Sequence, residues 1–227
     1  IGEDATAVFN MLSGYSEPAS WNKLAVAPIW LKDTVLDLIK REAENARAGK
    51  QAHIIAKMNS LCDPKVMAAL YEASAAGVKI ELIVRGICCL RAGVPGLSEN
   101  ITVRSIVGNF LEHARILYCY NDGFEDIYMG SADWMPRNLD KRVEIMFPVE
   151  DPQAKKQAKH ILDVQLADTL KAYILQPDGT YVKQDLRGKD KICAQDVFCE
   201  EAIAAAKKEE KSGEEKRTFE PITADMK

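Results

Sequence analysis

The segment FLEHARILYCYNDGFEDIYMGSADWMPRN, residues 110–138, gathers an imidazole, a guanidinium, a hydroxyl and a carboxamide between apolar runs. His113 stands two residues before Arg115, Gly130-Ser131 follows a turn-like interval, and Asn138 comes seven residues after Ser131. Side chains two apart on a strand share a face, so pairing that begins as early as His113 would aim the ring and the guanidinium at one target. A glycine lets backbone approach an anion, while Ser131 and Asn138 offer neutral donors to its oxygens. Arg142 and Glu144 repeat the spacing on the next strand candidate and add a fixed cation and a carboxylate. Because a carboxylate repels a bound anion, Glu144 is either incidental or placed to orient an imidazole. Lys57 and Asn59 form another such pair at the end of HIIAKMN, and either extend an anion cradle or end a strand in solvent. Taken singly, each feature has an ordinary explanation: Gly-Ser-Asn occurs in turns, Arg142 with Glu144 reads as a solvent-facing pair of little energetic consequence, and His53 and His160 read as structural histidines. Together the residues describe a place to hold and transfer phosphate.

The elements that would position these groups follow from periodicity. KLAVAP reads as a short strand, and LKDTVLDLIKREAENARAGK as a helix with its apolar stripe at Leu31, Val35, Leu38 and Ile39, ending near Gly49. HIIAKMN is a strand, DPKVMAALYEASAAG a helix with Asp63 as N-cap, Pro64 in the first turn and Gly77 past its end, and VKIELIV a strand again. Strand, helix, strand implies a right-handed crossover in a parallel or mixed sheet. The Gly- and Pro-bearing loop RGICCLRAGVPGLSEN lies where α/β sheets usually meet ligands. Four more strands are expected, ITVRSIV, ARILYCY, DIYMGS and RVEIMFPV, with NDG as the hairpin turn between the middle two. A helix should run from Pro152 to about Lys171, and KKEEKSGEEKR, residues 207–217, should fray or be disordered. The fold class is α/β, a mixed β-sheet flanked by helices.

Composition narrows the function. The chain has 227 residues, 47% hydrophobic and 28% charged, enough for a substantial core. A net charge of −4 and a pI near 5.5 argue against a broad grip on nucleic acid, and none is expected as a partner. No apolar run approaches the ~20 residues of a transmembrane span. Cys62, Cys88, Cys89, Cys119, Cys193 and Cys199 show no CxxC spacing and read as reduced structural thiols of a cytoplasmic protein, peripheral membrane attachment being the variant of that placement.

The run from His113 to Asn138 resembles the HxK…GSxxN phosphate motif of the phospholipase D superfamily, with Arg115 where that pattern has lysine and a longer interval from Ser131 to Asn138. More closely, KMNSLCDP, IVRGICCL, FLEHARI and GSADWMPRNLDKRVEI together resemble the carboxy-terminal, phospholipase D-like domain of the polyphosphate kinase family, over roughly residues 21–170. That resemblance implies reversible transfer of the terminal phosphate of ATP to inorganic polyphosphate, giving ADP, through a phosphohistidine on a preceding domain of the same chain. It implies His113 as a general acid toward the leaving group, Arg85 as a ligand of nucleotide phosphate, and Glu144 as the carboxylate that orients the phosphorylated histidine of the other domain. Arg115, Ser131, Asn138, Arg142, Lys57 and Asn59 complete the expected phosphate-binding set.

Mg²⁺ would accompany ATP, with its ligands outside this chain, and a homo-oligomer is expected for the full-length protein. The expected organisation is a connection over 1–20, the phospholipase D-like catalytic domain over 21–175, and a C-terminal helical extension with a partly disordered tail over 176–227. With no second histidine motif before His53, the chain reads as one half of a site, inactive alone. A phospholipase D-type phosphodiesterase and a non-catalytic polyphosphate-binding module are the alternatives.

Overall fold

Alternation along the central strands decides the layering. In β2 (His53–Met58), Ile54, Ala56 and Met58 join one buried cluster and Ile55 joins another. In β3 (Lys79–Val84), Ile80, Leu82 and Val84 go to the first cluster and Ile83 to the second. A strand apolar on both faces must be covered on both. Here α2 (Leu31–Arg47) and α3 (Pro64–Ala75) cover the first face, and α5 (Pro152–Leu166) covers the second through Ala158 and Leu162. Leu82 is fully buried, and Leu82→Ala would cost about 2–5 kcal/mol through lost contacts and the cavity left behind.

The computed structural model describes residues 1–18, 20–188 and 190–212. Among these, the remaining elements are α1 (Gly2–Leu12), β1 (Ala25–Val26), β4 (Ile101–Ile106), β5 (Arg115–Cys119), β6 (Asp126–Gly130), α4 (Pro136–Asp140), β7 (Ile145–Pro148), β8 (Ala172–Leu175), β9 (Tyr181–Lys183) and α6 (Ala194–Ser212). The strands form one mixed sheet in the order β1-β7-β6-β5-β2-β3-β4-β8-β9. β2, β3 and β4 are parallel, and every other pairing is antiparallel.

Local signals behave as their chemistry requires. The Asp63 carboxylate accepts from the backbone N–H of Lys65 at 3.0 Å and Val66 at 3.1 Å, capping α3 ahead of Pro64. Asn121, Asp122 and Gly123 all take positive φ, which turns β5 tightly into β6.

Three boundaries differ from the sequence expectation. The helix begun at Pro152 ends at Leu166 rather than near Lys171, because Asp168 accepts from the N–H groups of Lys171 at 2.7 Å and Ala172 at 3.0 Å and turns the chain into β8. The strands expected from Ala114 and from Arg142 start later, at Arg115 and at Ile145. Pairing of β5 begins where Arg115 meets Gly130, which leaves His113 on the preceding loop. Residues 207–212 continue α6, and the rest of the expected tail lies outside the described residues.

Candidate active site

One edge of the sheet collects the predicted residues, and the topology explains why. β2 and β3 are parallel, so their carboxyl ends, with Lys57, Asn59 and Arg85, lie side by side. β5 runs antiparallel to β2 and therefore begins at that edge with Arg115. β6 returns to it at Gly130-Ser131, and β7 leaves from it just after Glu144. Residues dispersed between positions 57 and 144 thus meet where ligands are usually found on α/β sheets.

Arg85, Arg115 and Lys57 at this edge are each held by a specific acceptor. Arg85 donates from Nε at 2.9 Å and from Nη2 at 2.5 Å to the Asn59 side-chain oxygen Oδ1. Arg115 donates from Nε at 3.1 Å and from Nη2 at 3.0 Å to the two carboxylate oxygens of Asp133, the forked geometry that suits guanidinium and carboxylate. Asp133 is buried and also accepts from the backbone N–H of Asn59 at 2.7 Å, so a single carboxylate fixes Arg115 directly and Arg85 at one remove. Lys57 is buried rather than solvated, and its ammonium meets Glu112 at 3.1 Å. Burial pulls the Lys57 ammonium below its ordinary value, the nearby Arg85 and Arg115 push the same way, and Glu112 opposes them.

His113 is exposed on its loop and lies against Arg115. Arg115 Nη1 sits 2.9 Å from Nδ1 and donates to the His113 backbone carbonyl at 2.8 Å, while Nη2 sits 3.2 Å from Nε2. Only one nitrogen of a neutral imidazole accepts, so at most one of the two ring contacts is a hydrogen bond.

Ser131, Asn138 and Glu144 form a second cluster. Glu144 is buried, and it accepts from Ser131 Oγ at 2.5 Å and Asn138 Nδ2 at 2.6 Å; the backbone N–H of Ile145 in turn donates to Ser131 Oγ at 3.1 Å. The two neutral donors read from the sequence as facing an anion are here committed to a carboxylate. Gly130 serves the close approach of β7, since a Cβ there would stand 2.6 Å from the Ile145 carbonyl oxygen. Arg142 is exposed, precedes β7 and forms no ion pair among the described residues.

Sequence reasoning missed Asp133, Glu112 and Gln195. Asp133 is the only acidic residue in GSADWMPRN, and a lone carboxylate within a set of phosphate-binding candidates is the signal that could have found it. Glu112 accepts from Gln165 Nε2 and, at 3.0 Å, from Gln195 Nε2, contacts made by helices that lie far along the chain. The six cysteines are free thiols. Burial and the neighbouring Cys89 push Cys62 up to about 11. Among the described residues no group of three or more His, Cys, Asp or Glu side chains is gathered to hold a metal ion. No helix there is long and apolar enough to cross a membrane.

Residues 24–195 match the family described as polyphosphate kinase C-terminal domain 2. The polyphosphate kinase of Lactiplantibacillus plantarum is 50% identical over 207 residues, covering 91% of this chain and 29% of that protein. The polyphosphate kinase of Thermosynechococcus vestitus is 54% identical over 181 residues, covering 80% of this chain and 25% of that protein. The chain thus spans between a quarter and a third of the length of these relatives. The crystal structure of polyphosphate kinase from Porphyromonas gingivalis superimposes with a TM-score of 0.85 at 37% identity, over 90% of this chain and 32% of that one. A phospholipase D family member from Salmonella typhimurium shares the fold, with a TM-score of 0.50 at 13% identity over 68% of this chain and 97% of that one.

Proposed function

The chain belongs to the polyphosphate kinase family, as its C-terminal domain 2, and from that membership we propose that it is one half of a catalytic cleft that transfers the terminal phosphate of ATP to inorganic polyphosphate. The other half is a preceding domain that carries the phosphorylated histidine. In the first step the histidine nitrogen attacks the γ-phosphorus, an N–P bond forms, the bond to the bridging oxygen breaks, and ADP leaves. In the second, the terminal oxygen of polyphosphate attacks the same phosphorus and the N–P bond breaks, lengthening the polymer by one unit. Each step reverses.

The observation that carries this reading is the meeting of Arg85, Arg115 and Lys57 with an exposed His113 at one sheet edge. Phosphoryl transfer depends chiefly on positioning and on cations that follow charge onto the peripheral and leaving oxygens. Arg85 and Arg115 are permanently charged and already aimed by Asn59 and Asp133, so little reorganisation is needed as that charge develops. As general acid the His113 imidazolium gives one ring proton to the leaving oxygen and returns to the neutral ring, one nitrogen of which then accepts from Arg115, whose Nη1 lies 2.9 Å from Nδ1. Arg142 joins the phosphate-binding set when the polymer enters, and Ser131 and Asn138 serve the site by holding Glu144.

Glu144 orients the nucleophilic histidine of the other domain by accepting its distal N–H, which fixes the tautomer and stabilises the positive charge developed on attack. Asn138 Oδ1, buried beside Glu144 without a donor among the described residues, supports a donor arriving from outside this chain. The exposed apolar side chains of Ile87, Phe110, Leu111 and Val143, on the loops around the same edge, support a docked domain there. Mg²⁺ arrives with the nucleotide, and its protein ligands belong to the rest of the enzyme. The full-length protein is a cytoplasmic homo-oligomer.

The test uses the full-length enzyme with ATP and polyphosphate. His113→Gln should lower turnover by ~10²–10⁴ with a much smaller effect on binding, whereas a variant that turns over normally would remove His113 from the reaction. The 227-residue chain alone, given labelled ATP, should acquire no acid-labile, alkali-stable label; label on His113 at useful stoichiometry would contradict the half-site reading.

A further inference from the structure

The start of α6 reaches back to the loop that carries His113. Gln195 is buried, and its side-chain amide closes on the backbone of Phe110 from both sides: Phe110 N–H donates to Oε1 at 3.1 Å and Nε2 donates to the Phe110 carbonyl at 2.9 Å. Nε2 also donates to Glu112 at 3.0 Å, one residue before His113. This pairing copies the two bonds that a neighbouring strand would make, on a segment that belongs to no strand.

Two further observations show that the contact is built. Gly108 lies under the Gln195 amide, and any Cβ there would collide with its Oε1 and, at 2.6 Å, with its Cδ. The helix start that carries Gln195 is anchored as well: Asp168 accepts from the backbone N–H of Ala194 at 2.8 Å, fixing the first residue of α6 beside the end of α5.

We infer that Gln195 is a positioning residue for His113, holding residues 108–113 in the one path that sets the ring against Arg115. Glu112, shared by Gln195, Lys57 and Gln165, carries the constraint on to the end of β2. The consequence for transfer rests on the role proposed for His113; the clasp itself does not. α6 is then part of the catalytic apparatus although it contributes no group to the reaction.

Two variants from different elements test this. Gln195→Glu keeps the shape, removes both Nε2 donations and sets a second carboxylate against Glu112. Gly108→Ala displaces the Gln195 amide and leaves Gln195 itself unchanged. In the 227-residue chain each should speed amide hydrogen exchange over residues 109–113 roughly tenfold or more, as expected for losing two or three hydrogen bonds locally, with exchange in β2 and β3 unchanged. In the full-length enzyme both should lower kcat with little change in KM. Unchanged exchange over 109–113 in both variants would overturn the clasp. Faster exchange with unaltered kcat would overturn its effect on His113. Acceleration spread equally through β2 and β3 would show a general structural role and overturn positioning. Should the unaltered full-length enzyme transfer no phosphate, the functional reading fails while the exchange measurement still decides the clasp.

Discussion

The strand ends and the loops at this sheet edge hold their chemical groups in different ways. Lys57, Asn59, Arg85 and Arg115 sit on or just beyond paired strands, partly or fully buried, with acceptors at fixed positions. His113 and Arg142 sit on loops, exposed, the first steadied by contacts from elsewhere and the second without an ion-pair partner among the described residues. A buried cation is aimed before the ligand arrives but leaves a costly orphan if its acceptor is removed. An exposed group can move with the reaction and can be replaced without unfolding anything. Changes at the strand ends should therefore damage stability and binding together, and changes on the loops should damage function alone.

The largest expected effect is on the loop side. His113→Gln in the full-length enzyme should lower kcat by ~10²–10⁴, the range for loss of a general acid, with an unaltered melting temperature; a matched fall in Tm would erase the contrast. Next comes Asp133→Ala, which strands Arg115 and frees Asn59. It should cost about 3 kcal/mol in denaturant unfolding and weaken polyphosphate binding as well, so a variant with normal Cm and normal affinity would show that the anchor is dispensable. Ser131→Ala leaves one oxygen of the buried Glu144 without its donor and should cost about 1–2 kcal/mol by the same measurement.

A smaller, pH-dependent effect belongs to the amino-terminal half of β3, away from the end that leads to Arg85. The hydrogen bond from His53 at 2.8 Å, joined by Lys79 at 2.7 Å, holds the Glu81 carboxyl down at about 2 against the upward push of burial. A depressed carboxylate stabilises the fold above its unfolded-state value and loses that contribution as pH falls. Unfolding free energy should therefore drop between pH ~4.5 and ~2, and Glu81→Gln should flatten that part of the profile. Smallest of all, Arg142→Ala should leave stability within about 0.5 kcal/mol while reducing affinity for polyphosphate.

Much of this was legible in the sequence because it rests on local rules. The apolar run Ile54, Ile55, Ala56 and the cap Asp63-Pro64 specify β2 and α3 by themselves, and the spacing from His113 through Asn138 drew attention to residues that meet at one end of the strands. What was not legible depends on contacts across long separations. Nothing near Asp133 announces that Arg115 and Asn59 will converge on it, since that requires β5 to lie beside β2 in a particular register. Gln195 lies 82 residues beyond His113, in a stretch whose apolar pattern is faint. Ser131 and Asn138 were read as donors to an anion because their chemistry permits it, but their orientation toward Glu144 is set by the connection between β6 and β7, in which Asn138 lies on α4.

The central claim, that this sheet edge is a phosphate-binding half-site preset by its anchors, is tested most directly by titrating polyphosphate into the 227-residue chain while following side-chain nitrogen resonances, with an Arg85→Ala chain in parallel. The account predicts saturable shifts concentrated at His113, Arg85 and Arg115, and clearly weaker binding in the variant. Equal affinity in the two chains, or shifts confined to another surface, would contradict it.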